Sequence, residues 1–149
     1  MRILLQAALS YFGLVFVAAF LLGVMRVMLF APWIGAFASV AIEVPLILGL
    51  AWLVARRVLK RWPLALAGRL GMGGLAFVFL MLAEFALAFI LAGQPPFAYA
   101  ASFAQPSGAL GLAGQIGFAL IPAYALTLKV EPAQPTGQRS LRPPEPPRR

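Results

Sequence analysis

Two of the four acidic residues in this chain, Glu43 and Glu84, stand inside long apolar runs. A carboxylate facing lipid at the centre of a bilayer costs roughly 2.5–3.5 kcal/mol on an insertion scale, so both are expected to face the interior of a helix bundle. Glu43 follows Trp33 by ten residues, about 15 Å of helix at 1.5 Å per residue, close to the midplane of a hydrocarbon core ~30 Å thick. Glu84 lies seven residues before Leu91, about 10 Å below that end of its segment. The one basic residue near the same half is Arg26. If the first helix continues to Phe30, Arg26 lies one turn below its end, within reach of Glu43 or Glu84. One arginine cannot neutralise two carboxylates. Three readings follow. The acids and the arginine hold helices together as buried polar groups do; they relay protons or cations; or a second protein supplies the missing cation. Glutamine at either position separates them, because only the relay has a flux to lose.

Other chemistry is narrowed by what the 149 residues omit. Cysteine and histidine are both absent, which removes a disulfide framework, a thiol nucleophile, soft-metal ligation and the commonest general base. Haem ligation by either residue is excluded, and four acids make an all-carboxylate metal site a poor expectation. No cofactor and no catalysis are expected. Net charge is +8, but the positive residues cluster at segment ends with no recognition pattern, so nucleic acid is not an expected partner.

The positioning elements follow from composition. Hydrophobic residues make up 62% and charged residues 11%, where a soluble domain carries about a quarter charged residues. Lipid must be the main solvent and the main partner, with another membrane protein or a second copy of the chain beside it. A transmembrane helix needs ~20 apolar residues, and four such segments are legible, at about 3–25, 33–55, 70–91 and 110–128. The first is too long for the apolar core of a signal peptide and reads as an uncleaved span. Pro32 suits the start of the second helix, where its missing N–H costs nothing. The uncharged linker 92–109 carries Phe97, Tyr99 and Phe103 and is expected on or within the membrane interface. Residues 130–149 hold six prolines and four arginines and read as a disordered, lipid-hugging tail. With the 56–69 loop in the cytoplasm, Arg2, Arg56, Arg57, Lys60, Arg61, Arg69 and Lys129 lie inside and Arg26 alone outside. The fold expected is therefore an all-α, four-helix transmembrane bundle with both termini cytoplasmic.

Small residues suggest where helices meet. Gly108, Gly111, Gly114 and Gly117 recur every third residue in the fourth segment, and Gly68, Gly71 and Gly74 do so in the third, with Gly73 alongside. Glycine lets backbones approach closely, a main source of helix association in lipid. Gly71, Gly74, Gly111, Gly114 and Gly117 are thus expected to pack the third helix on the fourth. Neither run is followed by the Lys-Ser/Thr of a phosphate loop. Pro45 and Pro122 each remove a helical hydrogen bond, to the carbonyls of Ala41 and Phe118. A freed carbonyl either finds a neighbouring donor or helps hold a cation. Ser39 and Gly35 share the face of Glu43, and Gln115 and Tyr124 give the fourth helix polar handles.

The run Arg26-Val27 through Ala31-Pro32 and Gly35, then Glu43-Val44-Pro45 and Trp52, resembles a pattern in small uncharacterised bacterial inner-membrane proteins. Arg69-Leu70-Gly71-Met72-Gly73 and Ala83-Glu84 belong to the same pattern. The likeness covers about residues 10–125 and implies a four-helix, multi-pass protein of the bacterial inner membrane with no assigned activity. Small multidrug-resistance transporters have the same helix number, but their essential glutamate lies in the first helix, which here has no acid. Four-helix fluoride channels share the size without the motifs. The function expected is an accessory or assembly subunit of a membrane complex, without catalysis. The alternative is a small proton-coupled transporter or channel that uses Glu43 and Glu84, working as an oligomer.

Overall fold

The computed structural model describes residues 1–125. The tail 130–149, Lys129 and the end of the fourth expected segment lie outside the described residues. Six α-helices cover most of the rest: α1 (Arg2–Met25), α2 (Ala31–Ile34), α3 (Ala36–Arg61), α4 (Leu66–Ala92), α5 (Pro96–Ser102) and α6 (Pro106–Tyr124), with a π-helical turn over Arg26–Phe30 joining α1 to α2. Four helical stretches are long and apolar enough to cross a membrane: Arg2–Ile34, Ala36–Arg61, Leu66–Leu91 and Pro106–Tyr124. Large apolar side chains such as Leu14, Ile42, Leu82 and Ile90 stand on their outer surfaces, as expected where lipid is the solvent. The described residues are all-helical, and the chain is a multi-pass membrane protein.

The first turn falls later than Pro32 suggests. The opening helix runs on to Ile34, and the chain reverses at Gly35, whose φ of 83° and ψ of 160° suit glycine alone. Pro32 lacks the N–H that would bond the Met28 carbonyl. The ladder relaxes there into a wider turn, in which the Ala31 N–H donates to the Arg26 carbonyl five residues back. At the other end α3 continues through Arg56 and Arg57 to Arg61, since a helix leaving the hydrocarbon keeps its backbone bonds while long basic side chains reach for water. Arg69 Nε donates to the Leu64 carbonyl at 2.8 Å and ties down the turn that follows.

Each of α1 and α6 packs on both α3 and α4, so the four long helices form a square with α1 and α6 on one diagonal. The square is filled only at the end that carries the basic loop. There Ala7, Ala8, Tyr11 and Val15 of α1 meet Ala51, Val54, Ala55, Val58 and Leu59 of α3, Met72, Ala76 and Leu80 of α4, and Phe118 of α6. Alanines keep the backbones close, and Tyr11 crosses the diagonal. Its ring stacks on Phe118 at 4.5 Å and 5°, and its hydroxyl donates to the Phe118 carbonyl at 2.8 Å. That carbonyl is the one orphaned by Pro122, so the freed acceptor is satisfied from another helix. Tyr11→Phe keeps the ring and strands a buried acceptor. It is expected to cost about 1–3 kcal/mol, and Pro122→Ala, which restores a backbone donor, should recover part of that loss in detergent thermal melts.

The glycines divide by what faces them. A Cβ at Gly73 would overlap the Ala119 carbonyl of α6, which makes it the point of closest approach between α4 and α6. Gly114 and Gly117 pack instead on α3, where a Cβ would meet Val44 at 3.0 Å and Leu48 at 3.2 Å. Gly71 faces Leu4 of α1 at 3.5 Å, and Gly74 and Gly111 have nothing within 4 Å. The reason is rotational. A step of three residues turns a helix by about 300°, so a three-residue repeat walks around the axis and cannot stay on one contact. Gly73→Val is expected to drive α4 from α6 and lower stability by about 1–3 kcal/mol or more, whereas Gly74→Val is expected to leave the melting midpoint unchanged.

Candidate functional site

Beyond the Tyr11–Phe118 contact the helices splay. The space between them is a cavity of about 870 Å³. Phe118, Val15 and Leu80 line its lower part, and the wall extends to Met28, Leu91 and Gln105 at the end away from the basic loop. Glu43, Glu84, Arg26 and Gln115 all contribute to it, so both intramembrane carboxylates and the arginine expected to pair with one of them share a single vestibule.

Arg26 pairs with Glu43: its Nε faces Glu43 Oε2 in an ion pair between the π-helical turn and α3. Arg26 keeps the register of α1, its N–H bonded to the Leu22 and Gly23 carbonyls, and that register turns it toward α3 on the same face as Gly23. Gly23, one turn earlier, has no side chain, and a Cβ there would sit 3.7 Å from Glu43 Oε1. A smaller cavity of about 90 Å³ touches the same pair from the side of Ser39 and Ile42. Ser39 is buried, but its hydroxyl donates to the Ala36 carbonyl at 2.8 Å. α3 runs through Pro45 without a break.

Glu84 is held by neutral donors. Gln115 Nε2 donates to Glu84 Oε2 at 2.5 Å, and the Tyr99 hydroxyl approaches the same oxygen at 3.4 Å. Tyr99 comes from α5 in the linker. Its ring makes edge contacts with Phe85 at 5.7 Å and Phe103 at 5.1 Å, which fold the linker helix back against the end of α4. Burial, with the Glu84 carboxylate beside it, pushes the Tyr99 phenol up to about 12, so it keeps its proton and acts as a donor. Gln115 Oε1 is buried and accepts no hydrogen bond.

Of the residues singled out from the sequence, Arg26, Glu43, Glu84 and Gly111 and Gly114 meet at this vestibule. Gly71 and Gly74 do not. Sequence reasoning missed Tyr99 as a partner of Glu84 and treated Gln115 only as a polar handle. A signal was present in both cases, since an amide in an apolar helix and a tyrosine in an uncharged linker each need a polar partner when buried.

The molecule is thus a polytopic helical membrane protein with a few polar groups set in the wall of a central vestibule. No family model matches the chain, and neither a curated protein nor a solved structure matches it.

Proposed function

We propose that this chain is a small proton-coupled carrier or channel of a bacterial inner membrane, with Glu43 and Glu84 as the residues that handle charge. One observation carries the reading: a half-open space of about 870 Å³ between the helices has both intramembrane carboxylates on its wall. A subunit that served only to pack against a larger complex would gain nothing from a splayed bundle around two acids. Polar and ionisable groups at membrane depth that line a cavity mark substrate or ion pathways. The two carboxylates differ in kind. Glu43 is matched by a full positive charge and Glu84 by neutral donors, so Glu84 is the group able to exchange a proton without stranding a buried guanidinium. Among the described residues, the other titratable or charged groups that share this site with Glu84 of α4 are Arg26 from the first helix, Glu43 from α3 and Tyr99 from α5; α6 contributes the neutral Gln115.

Orientation follows from the basic loop. Arg56, Arg57, Lys60, Arg61 and Arg69 favour the cytoplasm, so the packed end faces inward and the vestibule outward, with both termini cytoplasmic. The resemblance to small inner-membrane proteins agrees with this placement. A reporter fused after Arg149 should read cytoplasmic; a periplasmic signal contradicts the topology. The function itself is tested in liposomes carrying a pH gradient and a lumenal pH dye. Protein-containing vesicles should dissipate the gradient faster than empty ones. If they do not, and gentle purification from native membranes yields a stoichiometric second protein, the accessory-subunit reading replaces this one.

A further inference from the structure

The vestibule of the proposed carrier, on which this inference rests, has room for a ligand. Its size lies within the range of small-molecule pockets, about 300–1,000 Å³. Its chemistry is one-sided. Arg26 is committed to Glu43, so no unpaired cation is left among the described residues of the wall to receive an anion. One acceptor is available on the wall, the Glu84 carboxylate, met only by neutral donors; Gln115 Nε2 bonds it directly at 2.5 Å, and the buried Gln115 Oε1 beside it offers no surface to a ligand. The rest of the wall is mostly apolar, and Phe16, Phe20, Phe103 and Phe118 are among the side chains lining it. Aromatic faces attract cations, most strongly where water is excluded, and they cover apolar ligand surface.

We infer that the vestibule binds a protonated lipophilic amine, with the ammonium donating to Glu84 and the hydrocarbon part lying against the aromatic wall. An anion would meet Glu84 as a like charge. A sugar would leave most of its hydroxyls facing apolar side chains, each at a desolvation cost. A neutral lipophile would fill the space but leave the Glu84 carboxylate without a cation.

A matched series of probes tests this on the whole purified chain. Naphthylmethylamine, naphthylmethanol and naphthylacetate share one ring system and differ in charge. Equilibrium dialysis at neutral pH should show the amine bound at least roughly tenfold more tightly than either other compound. Glu84→Gln should remove that preference, and Glu84→Asp, which keeps the charge, should retain most of it. Equal binding of the three probes, no binding of the amine, or a preference that survives in Glu84→Gln each overturns the inference. The two readings fail separately. Amine binding without proton flux sinks the carrier and leaves the site, whereas proton flux without amine preference leaves the carrier and sinks this choice of ligand.

Discussion

In Glu84→Gln vesicles the dissipation of a pH gradient is expected to fall to the rate of empty liposomes. Glutamine keeps the shape of the side chain, and its amide can bond Gln115 and Tyr99 by rotating its oxygen and nitrogen, so folding should survive while the side chain loses its charge and its exchangeable proton. Wild-type Glu84 sits where neutral donors, Gln115 and Tyr99, supply its hydrogen bonds. A carboxyl with that shell can alternate between protonated and ionised forms without breaking an ion pair. Glu43→Gln is also expected to lower flux, by a different route. It strands Arg26, which then draws on Glu84 across the vestibule. A Glu84→Gln protein that folds and still conducts at the wild-type rate removes the carboxylate from the mechanism.

Arg26→Gln is expected to have the largest effect on stability. Removing one partner of a buried pair leaves the other as an uncompensated charge, typically at about 3–5 kcal/mol. Glu43 is the more enclosed partner, its side chain 14% exposed against 27% for Arg26, so it bears the greater part of that cost. Adding Glu43→Gln to Arg26→Gln replaces the stranded charge with two amides, and the double variant should recover most of the loss. Thermal melts in detergent, arranged as a double-mutant cycle, read this directly. Additive losses from the two single variants contradict the pairing. A loss of the same size in the double variant shows that shape, not charge, holds the π-helical turn against α3.

The four spans were legible because length and apolarity are local properties, and a bilayer sets both. Their ends were less so. Pro32 looked like a helix start because proline often is one, but a wider turn can carry a proline inside a helix, and Gly35 supplied the reversal. Arg26, Glu43 and Glu84 stood out as candidates for the same local reason: charge is costly at their depth. What each of them pairs with was not local. Glu84 takes its partners from 15 and 31 residues away, and Tyr11 reaches a carbonyl 107 residues away. The glycine runs overstated their own consistency, since each three-residue step drifts by about 60° and a run of them leaves the face it began on, and only Gly73 reaches backbone in α6. The vestibule itself left no trace in the sequence. An apolar side chain that lines a cavity and one that packs against another helix have the same composition, and the difference lies in the splay of four helices above Tyr11 and Phe118.

Water is expected to reach the vestibule from the end away from the basic loop. The chain has no cysteine, so a single introduced thiol reports its own position. Gly111 lines the vestibule and Gly74 is exposed on the outer surface of α4; neither has anything within 4 Å of a new Cβ. Gly111→Cys and Gly74→Cys should therefore fold alike. A membrane-impermeant maleimide applied to the face away from the basic loop should label Gly111→Cys and leave Gly74→Cys, which faces lipid, unreacted. Equal labelling of the two, or a silent Gly111→Cys in a folded protein, contradicts the vestibule and the mechanism built on it.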